Sequence, residues 1–181
     1  MKFIKLSWEQ LQKDCITLAK NINANLDIDE IICISRGGLV VARILSDFLD
    51  VKISTITIES YQNIQQEKEP VITQFLPETY MNETILLVDE VSDTGKTLKR
   101  ALTYLKTLPI KKIYTLTPYI KPHSQYIPDF WKIKTDKWII FPYEIMETKK
   151  ALHVNVEGRE LITKLYKIGY ADWEVQAVES D

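Results

Sequence analysis

The chain has 181 residues, of which 45% are hydrophobic and 27% charged, and it carries a net charge of −2. That length and balance fit one globular domain with a substantial core, and without a basic excess or stripe no nucleic-acid partner is expected. No apolar run approaches transmembrane length, and Met1 to Lys5 has neither a long apolar core nor a cleavage site, so a cytoplasmic protein with no membrane partner is expected.

Taken in chain order, Ser7-Trp8-Glu9-Gln10 reads as a capping box opening a helix with Trp8, Leu11, Cys15 and Leu18 on one face. Ile31 to Ile34 is a short continuous apolar run, as expected of a strand covered on both faces. It stops at Ser35-Arg36-Gly37-Gly38. Leu39 to Leu49 reads as a helix with Leu39, Ala42, Ile44, Leu45 and Phe48 available to the core, and the β-branched stretch Val51 to Ile58 as a strand. Glu59 to Asn82 is polar and without period, a long loop with room for a small hairpin. Thr84 to Val88 is a strand, roughly Lys96 to Leu108 a helix with Leu98, Ala101, Leu102 and Leu105 inward, and Lys111 to Thr117 a strand that Pro118-Tyr119-Ile120-Lys121-Pro122 breaks. Trp138 to Phe141 reads as a late strand, Glu157 to Lys167 as a helix, and the tail is acidic. Alternation of strands and helices predicts an α/β fold with a central, mostly parallel sheet flanked by helices, as a single domain over residues 1–181. Cys15 and Cys33 lack CxxC spacing and read as buried thiols.

Three of the five glycines, Gly37, Gly38 and Gly95, fall in two strand-to-helix loops. Glycine there lets backbone N–H groups approach an anion closely. Gly95-Lys96-Thr97 imitates a P-loop, but the spacing fails, because position 90 is Glu where the upstream glycine belongs. Asp89, Glu90 and Asp93 would repel one another unless a cation or ligand hydroxyls offset them. Helix capping accounts for one of these acids, not for the adjacent pair.

The stretch Ile85 to Leu98, an apolar strand followed by two acids and a Thr-Gly-x-Thr loop, closely resembles the phosphoribosyl-pyrophosphate (PRPP) signature of type I phosphoribosyltransferases. Ser35-Arg36-Gly37-Gly38-Leu39-Val40 is similar to the family's pyrophosphate loop. Glu59-Ser60-Tyr61 lies where the family has its mobile lid, with a Ser-Tyr pair typical of 6-oxopurine members. Lys121 resembles the lysine that reads the purine 6-oxo group. Pro128-Asp129-Phe130 and Asp136-Lys137-Trp138-Ile139 resemble the region where an aromatic ring stacks on the base, and Glu144 sits where bacterial xanthine-guanine enzymes have an acid near the 2-position.

The resemblance implies transfer of the phosphoribosyl group of PRPP to N9 of guanine, xanthine or hypoxanthine, with Mg²⁺ as cofactor. It implies that Ser35, Arg36, Gly37, Gly38 and Lys68 bind pyrophosphate. Asp93, Thr94, Gly95, Lys96 and Thr97 would hold the 5′-phosphate, and Asp89 and Glu90 the ribose hydroxyls and, directly or through water, Mg²⁺. Asp93 would be the catalytic proton acceptor. Ser60 and Tyr61 would belong to the lid. Lys121, Trp138, Ile139 and Glu144 would bind the purine, within a base-recognition hood at about 118–150, and 156–181 would form a helical C-terminal segment. The lid stretch Gln65-Gln66-Glu67-Lys68 has no arginine, so Lys68 offers a point charge rather than a bidentate fork. Adenine or pyrimidine transfer and a PRPP-sensing regulator remain alternative readings. Family members are usually dimers or tetramers, so a homo-oligomer is expected.

Overall fold

The computed structural model describes residues 2–60, 69–76, 83–153 and 158–179. In chain order the elements are β1 (Phe3–Lys5), α1 (Trp8–Asn23), β2 (Glu30–Ser35), α2 (Gly38–Leu49), β3 (Lys52–Ser60), β4 (Pro70–Gln74), β5 (Thr84–Val88), β6 (Val91–Ser92), α3 (Lys96–Leu105), β7 (Lys112–Leu116), β8 (Tyr119–Ile120), β9 (Ile133–Lys134), β10 (Trp138–Ile140), α4 (Ile145–His153), α5 (Gly158–Ile168) and α6 (Asp172–Glu179). They divide between two compact units, one made of Met1–Leu11 with Asp136–Asp181 and the other of Gln12–Thr135.

The larger unit is built on a five-stranded sheet of order β4-β3-β2-β5-β7. All neighbours pair in parallel except β4, which runs antiparallel to β3. The apolar run of β2 makes it central, since a strand covered on both faces needs no polar alternation; Ile31, Ile32 and Cys33 are fully buried. Ile32, Ile34, Ile56, Ile85, Leu87, Leu98, Ala101 and Leu105 form one core cluster, which places α3 on the sheet by its apolar stripe. A second, three-stranded sheet has the order β6-β8-β9.

Several sequence expectations change here. One bond of the capping box is seen, the Gln10 N–H donating to Ser7 Oγ at 3.0 Å, but Trp8 is exposed. As the first helical residue its Cβ points back beyond the helix end, and its ring meets Tyr143 at 6.1 Å. Leu39 and Phe48 are also exposed, because α2 buries the stripe Gly38, Val41, Ala42, Leu45 and Ser46 instead. The long stretch after β3 contains β4, antiparallel to β3 as a hairpin there requires; the proline-flanked stretch ends β7 as expected and in addition forms β8.

The smaller unit pairs β1 with β10 in parallel and packs a cluster of Ile140, Leu152, Leu161, Leu165, Tyr170, Val175 and Val178. α4 has no counterpart among the helices expected from the sequence. α5 falls within a residue or so of the expected helix, and the acidic tail is helical as α6. Glu174 ties this unit together: it accepts the Lys5 ammonium at 2.7 Å and the Ala171 N–H at 2.7 Å, which is half of a capping box for α6.

Candidate active site

The site grows from two adjacent parallel strands. β2 and β5 run side by side, with Cys33 opposite Val88. Beyond that pair β2 leads through Ser35 into Arg36 and Gly37, and β5 ends in Asp89 and Glu90. The order of strands reverses between them, with β3 on one side and β7 on the other. Both glycine-bearing loops therefore open at a topological switch point, outside the carboxyl ends of the strands.

Close packing forces glycine in both loops. A Cβ on Gly37 would overlap the Glu90 carboxyl group, and one on Gly38 would stand 2.8 Å from the Val88 carbonyl oxygen. The Ser35–Arg36 peptide is cis. The Ser35 hydroxyl is used within the sheet, 2.7 Å from Thr57 Oγ1 and donating to the Ile56 carbonyl at 3.1 Å. Thr57 Oγ1 in turn donates to Gln74 Oε1 at 3.1 Å. Ser35 thus fastens the start of the loop, while Arg36 stands exposed.

Asp89, Glu90, Asp93, Thr94, Gly95 and Thr97 line one cavity of about 180 Å³, together with Val91, Ser92 and Leu98. Gly95 has φ 80°, the left-handed region, immediately before the right-handed α3. That sequence of conformations turns successive N–H groups to one side and forms an anion-binding concavity at a helix N-terminus. The Lys96 N–H donates to Thr94 Oγ1 at 3.3 Å. The Lys96 ammonium pairs with Glu69 at 3.1 Å, so the geometry gives this residue a backbone rather than a side-chain place at the loop.

The acids differ sharply in setting. Asp89 is buried, and burial, followed by the neighbouring Glu90 carboxylate, holds its carboxyl well above the ordinary carboxylate range. The Glu90 N–H donates to Asp89 Oδ1 at 3.1 Å. Glu90 Oε2 is buried with no hydrogen-bond partner. An orphaned carboxylate oxygen beside a second carboxylate fits a hard divalent cation, which would relieve both the desolvation and the repulsion. Among the described residues no three His, Cys, Asp or Glu side chains gather to hold an ion, so this donor set suits Mg²⁺ shared with substrate oxygens rather than an all-protein cage. Asp93 is exposed, and its Oδ1 lies 2.7 Å from His123 Nε2.

Sequence reasoning missed what holds the loop. β6 pairs with β8, and the segment after β8 stays fastened to the loop. The Lys121 N–H donates to the Ser92 carbonyl at 3.0 Å and the Gln125 N–H to the Thr94 carbonyl at 3.0 Å. Ser92 Oγ lies 2.8 Å from Ser124 Oγ and donates to the Tyr126 carbonyl at 2.9 Å. Lys121, half-buried, is therefore brought to the cavity loop by its own backbone. Pro128-Asp129-Phe130 anchors the same segment: Asp129 Oδ2 accepts the Thr115 N–H and hydroxyl, both at 2.8 Å, and the Phe130 N–H donates to the Thr115 carbonyl at 3.0 Å. In the sequence Lys121 and Pro128-Asp129-Phe130 mark this segment, whereas His123 has no ligand-like spacing and nothing there points to it.

The other expected residues lie apart from this cluster in the chain. Trp138, exposed, and Ile139, buried, stand on β10, and Glu144 precedes α4 with its carboxylate accepting the Phe141 N–H at 3.4 Å; all three belong to the smaller unit. Ser60 ends β3, opposite Pro70. Tyr61 and Lys68 lie outside the described residues.

Residues 7–148 match the phosphoribosyl transferase domain. The chain is 33% identical over 158 residues to a xanthine-guanine phosphoribosyltransferase of Desulfotalea psychrophila, covering 86% of this chain and 92% of that protein. It is 31% identical over 153 residues to one of Cereibacter sphaeroides, covering 80% and 88%. A crystal structure of a purine phosphoribosyltransferase from Pyrococcus horikoshii superposes with a TM-score of 0.72 at 33% identity, covering 79% of this chain and 95% of that one. The chain belongs to the phosphoribosyl transferase domain family, that of the type I phosphoribosyltransferases.

Proposed function

We propose that this enzyme transfers the 5-phosphoribosyl group of PRPP to N9 of a 6-oxopurine, releasing pyrophosphate, in purine salvage. The observation that carries the reading is the junction of two acids at the end of β5 with a left-handed Gly95 at the start of α3, around one cavity. A phosphate suits the concavity and the helix end, and ribose hydroxyls suit the acids. The two similar xanthine-guanine enzymes support the purine class.

As pyrophosphate leaves C1′, positive charge builds on the ribose ring and negative charge on the departing oxygens. The Asp89 and Glu90 carboxylates favour the first. Backbone N–H groups of Arg36 to Gly38 would meet the second, with Lys68 as the cation that the lid sequence supplies. Mg²⁺, held by Asp89 and Glu90 directly or through water, would supply charge neutralisation at the substrate oxygens. Asp93, Thr94, Gly95, Lys96 and Thr97 would hold the 5′-phosphate, and Asp93 would accept the imidazole proton of the purine. Lys121 would donate to the 6-oxo group, with Trp138, Ile139 and Glu144 assigned to the base by resemblance, and Ser60 and Tyr61 to the lid. Assembly as a dimer or tetramer and a cytoplasmic setting belong to the same proposal and rest on the family resemblance; among the described residues no helix is long and apolar enough to cross a membrane.

The test is a panel of guanine, xanthine, hypoxanthine, adenine and uracil with PRPP and Mg²⁺, following nucleotide formation. A 6-amino group facing an ammonium leaves two donors opposed, so 6-oxopurines should exceed adenine by orders of magnitude in kcat/KM. Adenine or uracil as best substrate would overturn the base assignment, and PRPP binding without turnover on any base would favour a sensor.

A further inference from the structure

The family resemblance gives His123 no role, yet it sits 2.7 Å from the side chain proposed as proton acceptor. The two residues are 30 positions apart, and backbone pairing brings them together. The hydrogen bonds Lys121 N–H to Ser92 and Gln125 N–H to Thr94 involve the residues two places either side of His123 and one place either side of Asp93. The side-chain pair is bracketed by them, and Ser92 to Ser124 at 2.8 Å braces it further. Both side chains are largely exposed, at 64% and 62%, so burial does not force the contact; loop pairing brings the two side chains within hydrogen-bond reach. An ionised carboxylate only accepts, so Nε2 carries the hydrogen and donates it to Oδ1.

We propose that His123 is a positioning residue for Asp93, holding Oδ1 so that Oδ2 faces the purine proton. This rests on the reading of Asp93 as proton acceptor. In the step concerned, the purine imidazole N–H bond breaks and its proton passes to Asp93 Oδ2. The N9 lone pair forms the bond to C1′, and the C1′–O bond breaks with its electron pair leaving on pyrophosphate. The chemistry requires a fixed carboxylate rotamer, because an exposed Asp otherwise samples several, and misplacing a reacting group by an ångström costs rate far more than affinity.

The experiment compares steady-state kinetics of His123→Phe, His123→Gln, Asp93→Asn and the double variant Asp93→Asn/His123→Phe, with PRPP, Mg²⁺ and the best base of the panel. His123→Phe should lower kcat about tenfold and leave the KM for PRPP and the thermal midpoint close to wild type. His123→Gln places an amide N–H near the position of Nε2 and should recover most of the loss. In the Asp93→Asn background the His123→Phe change should add little, because the two act as one unit. Wild-type kcat in His123→Phe, or no recovery in His123→Gln, or the same tenfold loss on top of Asp93→Asn, would each overturn the positioning role while leaving Asp93 in place. Undiminished turnover in Asp93→Asn would remove the proton-acceptor reading itself, and His123 with it.

Discussion

The carboxyl group of Glu90 lies against the α-carbon of Gly37, so closely that a Cβ on Gly37 would overlap it. An acid at the end of β5 and a glycine at the end of β2 thus share one volume, because the two strands are parallel neighbours and both stop at the same edge. The contact couples the loop expected to bind pyrophosphate to the acid expected to serve ribose and Mg²⁺.

Gly37→Ala should therefore displace Glu90 rather than unfold the chain. Steady-state kinetics should show kcat/KM for PRPP reduced by about tenfold or more, in line with the steep cost of misplacing groups that position a substrate. Far-ultraviolet circular dichroism and the thermal midpoint should stay near wild type. Unimpaired PRPP kinetics would mean that Glu90 can move aside freely.

Gly95→Ala should disturb both substrates. Its φ of 80° costs a side chain about 1–2 kcal/mol, and the new Cβ would stand 2.6 Å from the Tyr126 nitrogen. That pushes on the segment carrying Lys121 as well as on the phosphate loop. The expected outcome is a raised KM for PRPP and for the base together. A change confined to PRPP would show that the Lys121 segment is not braced by this glycine.

Glu174 has a stability role distinct from the cavity. Glu174→Ala leaves the mostly buried Lys5 ammonium without its carboxylate and the Ala171 N–H without its acceptor. Such losses cost roughly 2–4 kcal/mol, readable as a lowered urea midpoint. Glu174→Gln keeps an acceptor for the cap and should lose about half as much.

Both thiols should be silent in the native protein. Burial pushes Cys15 up to about 12 and Cys33 up to about 11, with Asp14 and Asp89 adding to the respective shifts. At pH 8 Ellman's reagent should find no fast-reacting thiol, and in guanidinium two per chain. Because the folded values exceed the unfolded value near 9, the native state holds the protons more tightly; this stabilisation is complete below about pH 9 and is lost as pH rises towards 11–12. The urea midpoint should fall across that window, and rapid thiol reaction at pH 8 would contradict the burial.

Local chemistry determined much of this protein. The apolar runs at Ile31–Ile34 and Thr84–Val88 specify buried parallel strands, the stripe Leu98, Ala101, Leu105 specifies how α3 packs, and the acids and glycines between them specify a phosphate-binding turn, because each signal lies within a few residues. The positions of Asp89, Glu90 and the Gly95 turn at one cavity follow from that order. What only the tertiary structure decided involves partners far apart in the chain. Two-residue strands such as β6 and β8 have no periodicity to read and exist because they pair with each other. Trp8 and Phe48 satisfy a helical pattern yet face solvent, since which stripe is buried depends on what lies beneath it. Lys96 pairs with Glu69, Ser35 with Thr57, and His123 with Asp93, none within a single element. Asp89, Glu90, Asp93 and Gly95 are legible in the sequence as a turn that holds an anion. That the segment after β8 is bonded along that turn, and places a histidine on its last acid, depends on loop pairing across about 30 residues.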